Sequence, residues 1–183
     1  MKILLVTGQS GVGKTAISKA CSKRLHAMYL RSRDIARHLA HVQGYTRARD
    51  WIMAVGPKQA IREIDDYILT SIDNAKTAEI VVVDGAYDGR LLAELKQRFK
   101  AEDVHIVEIT ASREVRLQHA AAEAGESEKN PDQEMQFLDD LKRQVGVSEV
   151  INKAELVIEN SDDMSSALDV ICSLFEPIEK ASS

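Results

Sequence analysis

The sequence predicts an α/β protein built on a five-stranded parallel sheet with helices on both faces. Two features of its patterning carry that prediction. Short, largely apolar runs at residues 3–7, 27–30, 80–83, 104–110 and 156–159 look like buried strands. Between them lie helix-length segments rich in Ala, Leu, Glu, Lys and Arg, long enough to cross over between parallel neighbours. Composition agrees: of 183 residues, 44% are hydrophobic and 29% charged. A single domain of that length buries roughly 70% of its unfolded surface, so no disulfide is needed.

Taken in order, Ile3-Leu4-Leu5-Val6-Thr7 forms the first strand, and a helical pattern over residues 14–26 follows it. A short second strand at 27–30 leads into helical patterns at 33–43 and 58–74. The strand at 80–83 is followed by a helix at 91–99, and the strand at 104–110 by helices at 114–123 and 131–144. The strand at 156–159 and a helix at 164–175 complete the alternation. The 131–144 boundary is chemically explicit, because Asn130 can cap, Pro131 suits the first helical position, Gln133 sits where a capping box closes, and Gly146 can stop the helix. Residues 123–129 are polar and aperiodic and are expected to form a mobile loop between two helices.

A net charge of −5 and a pI near 5.6 argue against a general nucleic-acid surface. Cys21 and Cys172 stand in amphipathic stretches without metal-ligand or redox spacing and are expected to be buried free thiols. His26, His38, His41, His105 and His119 likewise show no ligand spacing, and no zinc site is expected. The apolar N-terminus is interrupted at Gly8, and no apolar run reaches about 18 residues. The expectation is a cytoplasmic monomer or homodimer with no membrane partner.

Gly8-Gln9-Ser10-Gly11-Val12-Gly13-Lys14-Thr15 fills the pattern GxxxxGK[ST], with a strand running into it and a helix following. Its glycines let backbone amides wrap an anion, and the helix N-terminus adds partial positive charge. In such a loop Lys14 reaches the β- and γ-phosphates of a nucleotide and the Thr15 hydroxyl ligates Mg²⁺. Asp84, at the end of the 80–83 strand, is placed to hold the same ion from the neighbouring strand.

Ser32, Asp34 and Arg37 match the Ser/Thr-x-Asp-x-x-Arg spacing that opens the acceptor-binding helix of the nucleoside monophosphate kinase group, which the sequence here resembles. The run Asp84-Gly85-Ala86-Tyr87-Asp88-Gly89-Arg90 is similar to the segment that adenylate kinases place against the acceptor phosphate, without its Phe-Pro-Arg continuation. Gly85 would offer its backbone there and Arg90 would act as a displaced arginine. Residues 154–161 resemble the tail of dephospho-coenzyme A kinases, which puts Asn160 and Ser161 beside adenine. The resemblance implies one P-loop kinase domain with helical acceptor-binding (about 33–74) and lid (about 113–145) insertions. It also implies ATP and Mg²⁺ as cofactors and a small nucleotide-like acceptor. Asp34 and Arg37 would orient that acceptor, and Arg116 would stabilise the transferring group. Asp34 is in addition the candidate base for a hydroxyl acceptor of the dephospho-coenzyme A or nucleoside type.

The lid is acidic where kinases of this group carry arginines. His119, Asp139 and Asp140 stand at basic positions, Glu123, Glu126 and Glu128 crowd the tip, and Lys129, Lys142 and Arg143 are the nearby cations. Charge can instead come from Arg31, Arg33, Arg62 and the cluster Tyr45-Thr46-Arg47-Ala48-Arg49-Asp50-Trp51. An acidic lid also suits a nucleotide-binding regulator with little turnover. The Asn152-Lys153-Ala154-Glu155 segment differs from a guanine signature in its last residue and in preceding a strand.

Overall fold

A computed structural model describes residues 1–124, 130–160 and 164–175. Its elements run β1 (Lys2–Thr7), α1 (Lys14–Arg24), β2 (Met28–Arg31), α2 (Ser32–Val42), α3 (Ala48–Val55), α4 (Pro57–Asn74), β3 (Ile80–Asp84), α5 (Gly89–Arg98), β4 (Val104–Thr110), α6 (Arg113–Ala124), α7 (Pro131–Val145), α8 (Val147–Ile151), β5 (Leu156–Glu159) and α9 (Met164–Ser173). The strands form one parallel sheet in the order β2-β3-β1-β4-β5. That is the predicted fold class.

Side-chain alternation along β1 explains why residues 3–6 are apolar at every position. Ile3 and Leu5 point into a core shared with α2, α3, α4, α5 and α8, while Leu4 and Val6 point into a second core with α1 and α9. A strand buried on both faces must be apolar throughout.

Several boundaries move by local chemistry. Helix α1 ends at Arg24, two residues early, and His26 takes the left-handed φ of 50°. Pro57 joins α4 as its first residue, and Asp88 caps α5 by accepting from the Arg90 amide at 2.9 Å, which starts that helix at Gly89. Asn130 accepts from the Asp132 amide at 3.0 Å, and Gly146 at φ 97° ends α7. The cluster at 45–51 turns into α3, whose Trp51 is fully buried and donates to Gln43 Oε1 at 3.1 Å. Helix α8, only five residues long, has no counterpart among the expected elements, since so short an element shows no helical period.

Among the described residues no helix is long and apolar enough to cross a membrane. The expected loop at 123–129 lies almost wholly outside the described residues.

Candidate functional site

The chain runs from β1 to β2 on one side of the sheet and later crosses to β4 on the other, so a crevice opens at the carboxyl ends of β1 and β3. The Gly8–Thr15 loop occupies that crevice. All three of its glycines have a positive φ and stand where a Cβ would clash. At Gly13, with φ 88°, a Cβ would stand 2.3 Å from Asn160 Nδ2, and at Gly11, with φ 77°, one would stand 2.6 Å from the Arg116 carbonyl. Gly13 is also the N-cap of α1, with no side-chain cap and no acidic residue in the first turn. No side-chain cap and no first-turn carboxylate therefore offsets the positive end of the helix dipole there, an arrangement that suits an anion.

Lys14 is buried and folds back to donate to the Gln9 carbonyl at 2.5 Å. Burial pulls its pKa down to about 8, against the opposing pull of Asp84. Thr15 Oγ1 donates to Asp84 Oδ2 at 2.7 Å, as does the Tyr29 hydroxyl at 2.7 Å, and Arg31 Nε lies 3.4 Å from the same oxygen. The β2–β3 register brings Arg31 opposite Asp84. Burial and the Asp84 carboxylate push the Tyr29 phenol upward. A hydroxyl and a carboxylate oxygen side by side are the hard donors that suit Mg²⁺, which takes few protein ligands and completes its shell with water and phosphate. Thr15 and Asp84 therefore fit the expected ion.

The loop is braced from α6, α7 and β5. Arg116 donates from Nε to the Ser10 carbonyl at 2.8 Å, from Nη1 to Gln9 Oε1 at 2.6 Å, and from Nη2 to Asp139. Asp139 Oδ1 accepts from the Ser10 amide at 2.7 Å. His119 Nδ1 donates to the Gly11 carbonyl at 2.7 Å, and Asn160 Nδ2 donates to the carbonyl of the buried Val12 at 2.9 Å. Gly8, whose own Cβ would meet the Ile109 carbonyl, is held against β4. Ser161 lies outside the described residues, as do Glu126, Glu128 and Lys129.

A cavity of about 1390 Å³ runs from this loop to a wall made by α2, α3 and α7. Arg33, Arg37, Arg47 and Arg49 line it above an apolar floor that includes Ile52, Ile64 and Leu141. Arg47 pairs with Asp50 at 2.9 Å, and Arg49 bridges to Glu134 at 2.8 Å while stacking on Phe137 at 3.8 Å. The acidic positions of α7 are thus partly matched: Asp139 by Arg116, and Asp140 by Arg143.

The acceptor-side expectations divide. Ser32 and Arg37 line the cavity. Asp34 does not; its exposed carboxylate pairs with Arg37 at 3.2 Å and Arg31 at 3.7 Å. The expectation that Gly85 offers its backbone to a phosphate is not met. Its amide donates to the Val6 carbonyl at 3.0 Å and its carbonyl accepts from Ser32 Oγ at 2.5 Å, so both groups are engaged within the fold. Arg90, expected at the acceptor, donates instead to the Arg62 carbonyl at 3.0 Å and to Asp66 at 2.9 Å, away from the cavity wall. Those partners belong to α4, and no local pattern at 84–90 announces them.

Sequence reasoning passes over Tyr29. The signal is present, for Tyr29 and Arg31 are two apart on a strand and so share one face, and Arg31 is among the candidate cations.

A parallel sheet carrying this loop between its first strand and first helix has the P-loop kinase fold. A family model described as an AAA domain matches residues 7–138, and the chain belongs to that family. Solved structures agree on the fold. Shikimate kinase from Bacteroides thetaiotaomicron superposes with a TM-score of 0.65 at 14% identity, covering 96% of this chain and 99% of that one. Shikimate kinase from Acinetobacter baumannii, in complex with shikimate, gives 0.58 at 20% identity, covering 96% and 93%. A gluconokinase from Sinorhizobium meliloti 1021 gives 0.57 at 11% identity, covering 94% and 90%. No curated protein matches the chain.

Proposed function

We propose that the chain is a Mg²⁺- and ATP-dependent phosphotransferase acting on a small anionic, nucleotide-like acceptor. The observation that carries this reading is the continuity of one cavity from the P-loop to a wall lined by four arginines. The loop amides, the α1 N-terminus and Lys14 hold the donor phosphates, Asn160 lies on the donor side, and Arg33, Arg37, Arg47 and Arg49 receive acceptor charge. Thr15 and Asp84 would hold magnesium, which when bound would offset the negative charge of the donor phosphates. Arg116, already fixed on Gln9 and Ser10, carries its charge close to the transferring group.

An acceptor whose attacking oxygen is already ionised needs arginines and no base. That fits a wall on which Asp34 is turned to the exterior.

A second reading takes an acceptor bearing a hydroxyl. The names of the structural neighbours, shikimate kinase and gluconokinase, favour it. Asp34 would then have to turn inward from Arg37 to accept the proton.

The test is ADP release from Mg-ATP by the purified chain across nucleoside monophosphates, nucleosides, dephospho-coenzyme A, shikimate and gluconate, with Lys14→Ala as control. Stimulation by a monophosphate that vanishes in the variant supports the leading reading. Stimulation by a hydroxyl acceptor alone transfers support to the second. ATP binding with no stimulation by any acceptor favours a regulator.

A further inference from the structure

Helix α7 brings two oppositely charged side chains down onto the P-loop, and they pair only loosely with each other, at 3.9 Å. Asp139 and Lys142 are three residues apart and so share a face of the helix. Asp139 is satisfied by the Ser10 amide and by Arg116. Lys142 is different. Its Nζ donates to Ser10 Oγ at 2.9 Å and to the Gly8 carbonyl at 3.3 Å, both neutral, and the Asp139 carboxylate stands 3.9 Å away. The side chain is only 13% exposed. Lys14 lies against it, so burial first and the neighbouring ammonium next hold Lys142 well below its ordinary pKa.

Among the described residues, Lys14, Lys142 and Arg116 thus converge on one short loop, opposed there by Asp139 and, from β3, by Asp84. Two amines held together out of water resist carrying two positive charges unless an anion joins them. The position of Lys142 says which anion. The amide cradle and the α1 N-terminus lie at the Gly11–Thr15 end of the loop. Lys142 sits at the Gly8 and Ser10 end, and its Nζ lies 5.0 Å from the centre of the Tyr87 ring, on the segment after β3.

We propose that Lys142 is a second phosphate-contacting cation, binding the terminal phosphoryl group of the donor opposite Lys14. It takes the part that the arginine-poor lid leaves open. This rests on the phosphotransferase reading above. During transfer, the bond between the terminal phosphorus and its bridging oxygen breaks, with the electron pair leaving on ADP. A new bond forms to the acceptor oxygen. Lys142 exchanges no proton; it donates hydrogen bonds to the oxygens of the moving group as charge builds on them. Asp139 is a positioning residue that keeps α7 docked on Ser10.

The test compares wild type with Lys142→Gln and Lys142→Arg, using Lys14→Ala as reference. Lys142→Gln retains a donor for Ser10 Oγ and removes the charge, which separates docking of α7 from phosphate binding. Titration with Mg-ADP, titration with Mg-ATP, and thermal shift with Mg-ADP plus aluminium fluoride report the two ends of the loop separately. For Lys142→Gln we expect Mg-ADP affinity within about threefold of wild type and Mg-ATP affinity about tenfold weaker, the size of one lost charge-assisted hydrogen bond. The aluminium fluoride shift should disappear, and kcat with an active acceptor should fall about 10²-fold. Lys142→Arg should recover part of each. Equal Mg-ATP affinity and an intact fluoride shift in Lys142→Gln would overturn the assignment and leave Lys142 a structural tether, with the phosphotransferase reading untouched. Wild type that binds neither nucleotide would sink both.

Discussion

The Thr15 hydroxyl donates to Asp84 Oδ2 across 2.7 Å, joining the start of α1 to the end of β3 over 69 residues of chain. The pairing puts two hard oxygen donors at the mouth of the P-loop.

Thr15→Val keeps the shape and removes the oxygen. Mg²⁺-dependent strengthening of ATP binding should drop about tenfold or more, in line with losing a contact to a charged group. Metal-free ATP binding should change little. Titration with and without Mg²⁺ reads the difference, and equal losses in both would count against the metal role.

Gly13→Ala should destabilise the chain by about 1–2 kcal/mol through its left-handed φ of 88°, with a further cost from the clash with Asn160. Adding Asn160→Ala should return the clash contribution and leave the φ contribution. Thermal melts of the two single variants and the double variant check this; full recovery in the double variant would contradict it.

Asp65 is buried, its Oδ2 has no hydrogen-bond partner, and Arg90 is 3.9 Å away. Burial first, and then Asp88, push its pKa from 3.8 to about 8 in spite of Arg90. Between those values the folded state holds a proton that the unfolded state has released, so stability falls as pH rises through the window. The loss is on the order of a few kcal/mol. Asp65→Asn should flatten the slope, measured as denaturation midpoints from pH 4 to pH 8. An unchanged slope would show that Asp65 ionises normally.

Cys21 is fully buried and burial pushes its thiol up to about 12, while Cys172 is also a buried free thiol. Neither should react with an alkylating reagent at neutral pH until the chain unfolds. Labelling followed by mass spectrometry, with and without denaturant, tests it. Rapid labelling of the native chain would contradict the burial.

Trp51→Ala should cost about 3–5 kcal/mol, since the ring fills the core between α2 and α4. Its loss also frees Gln43 Oε1 from α3. Chemical denaturation is the measurement.

Locally coded features are legible in the amino-acid order itself. The P-loop is one contiguous segment whose glycines, lysine and threonine must be neighbours to work. The central strands β1 and β3 announce themselves because burial on both faces demands unbroken apolar runs, and the ends of α7 because Asn130, Pro131 and Gly146 act within a turn of where they stand. Asp84 is legible too, as an acid ending an apolar strand.

Tertiary structure decided the rest. Arg90 stands in sequence beside Asp84, yet its partners are on α4, and a guanidinium goes where the nearest acceptors are. Ser32 and Gly85, 53 residues apart, close on each other and take up the backbone that was expected to face a phosphate. Lys142 reads in sequence as one cation among the acids of α7; only helix packing carries it 134 residues back to the Gly8 carbonyl. Side-chain type and short-range spacing determine which chemistry is present and where the chain turns. Which charges meet, and how closely, depends on long-range packing that no local pattern encodes.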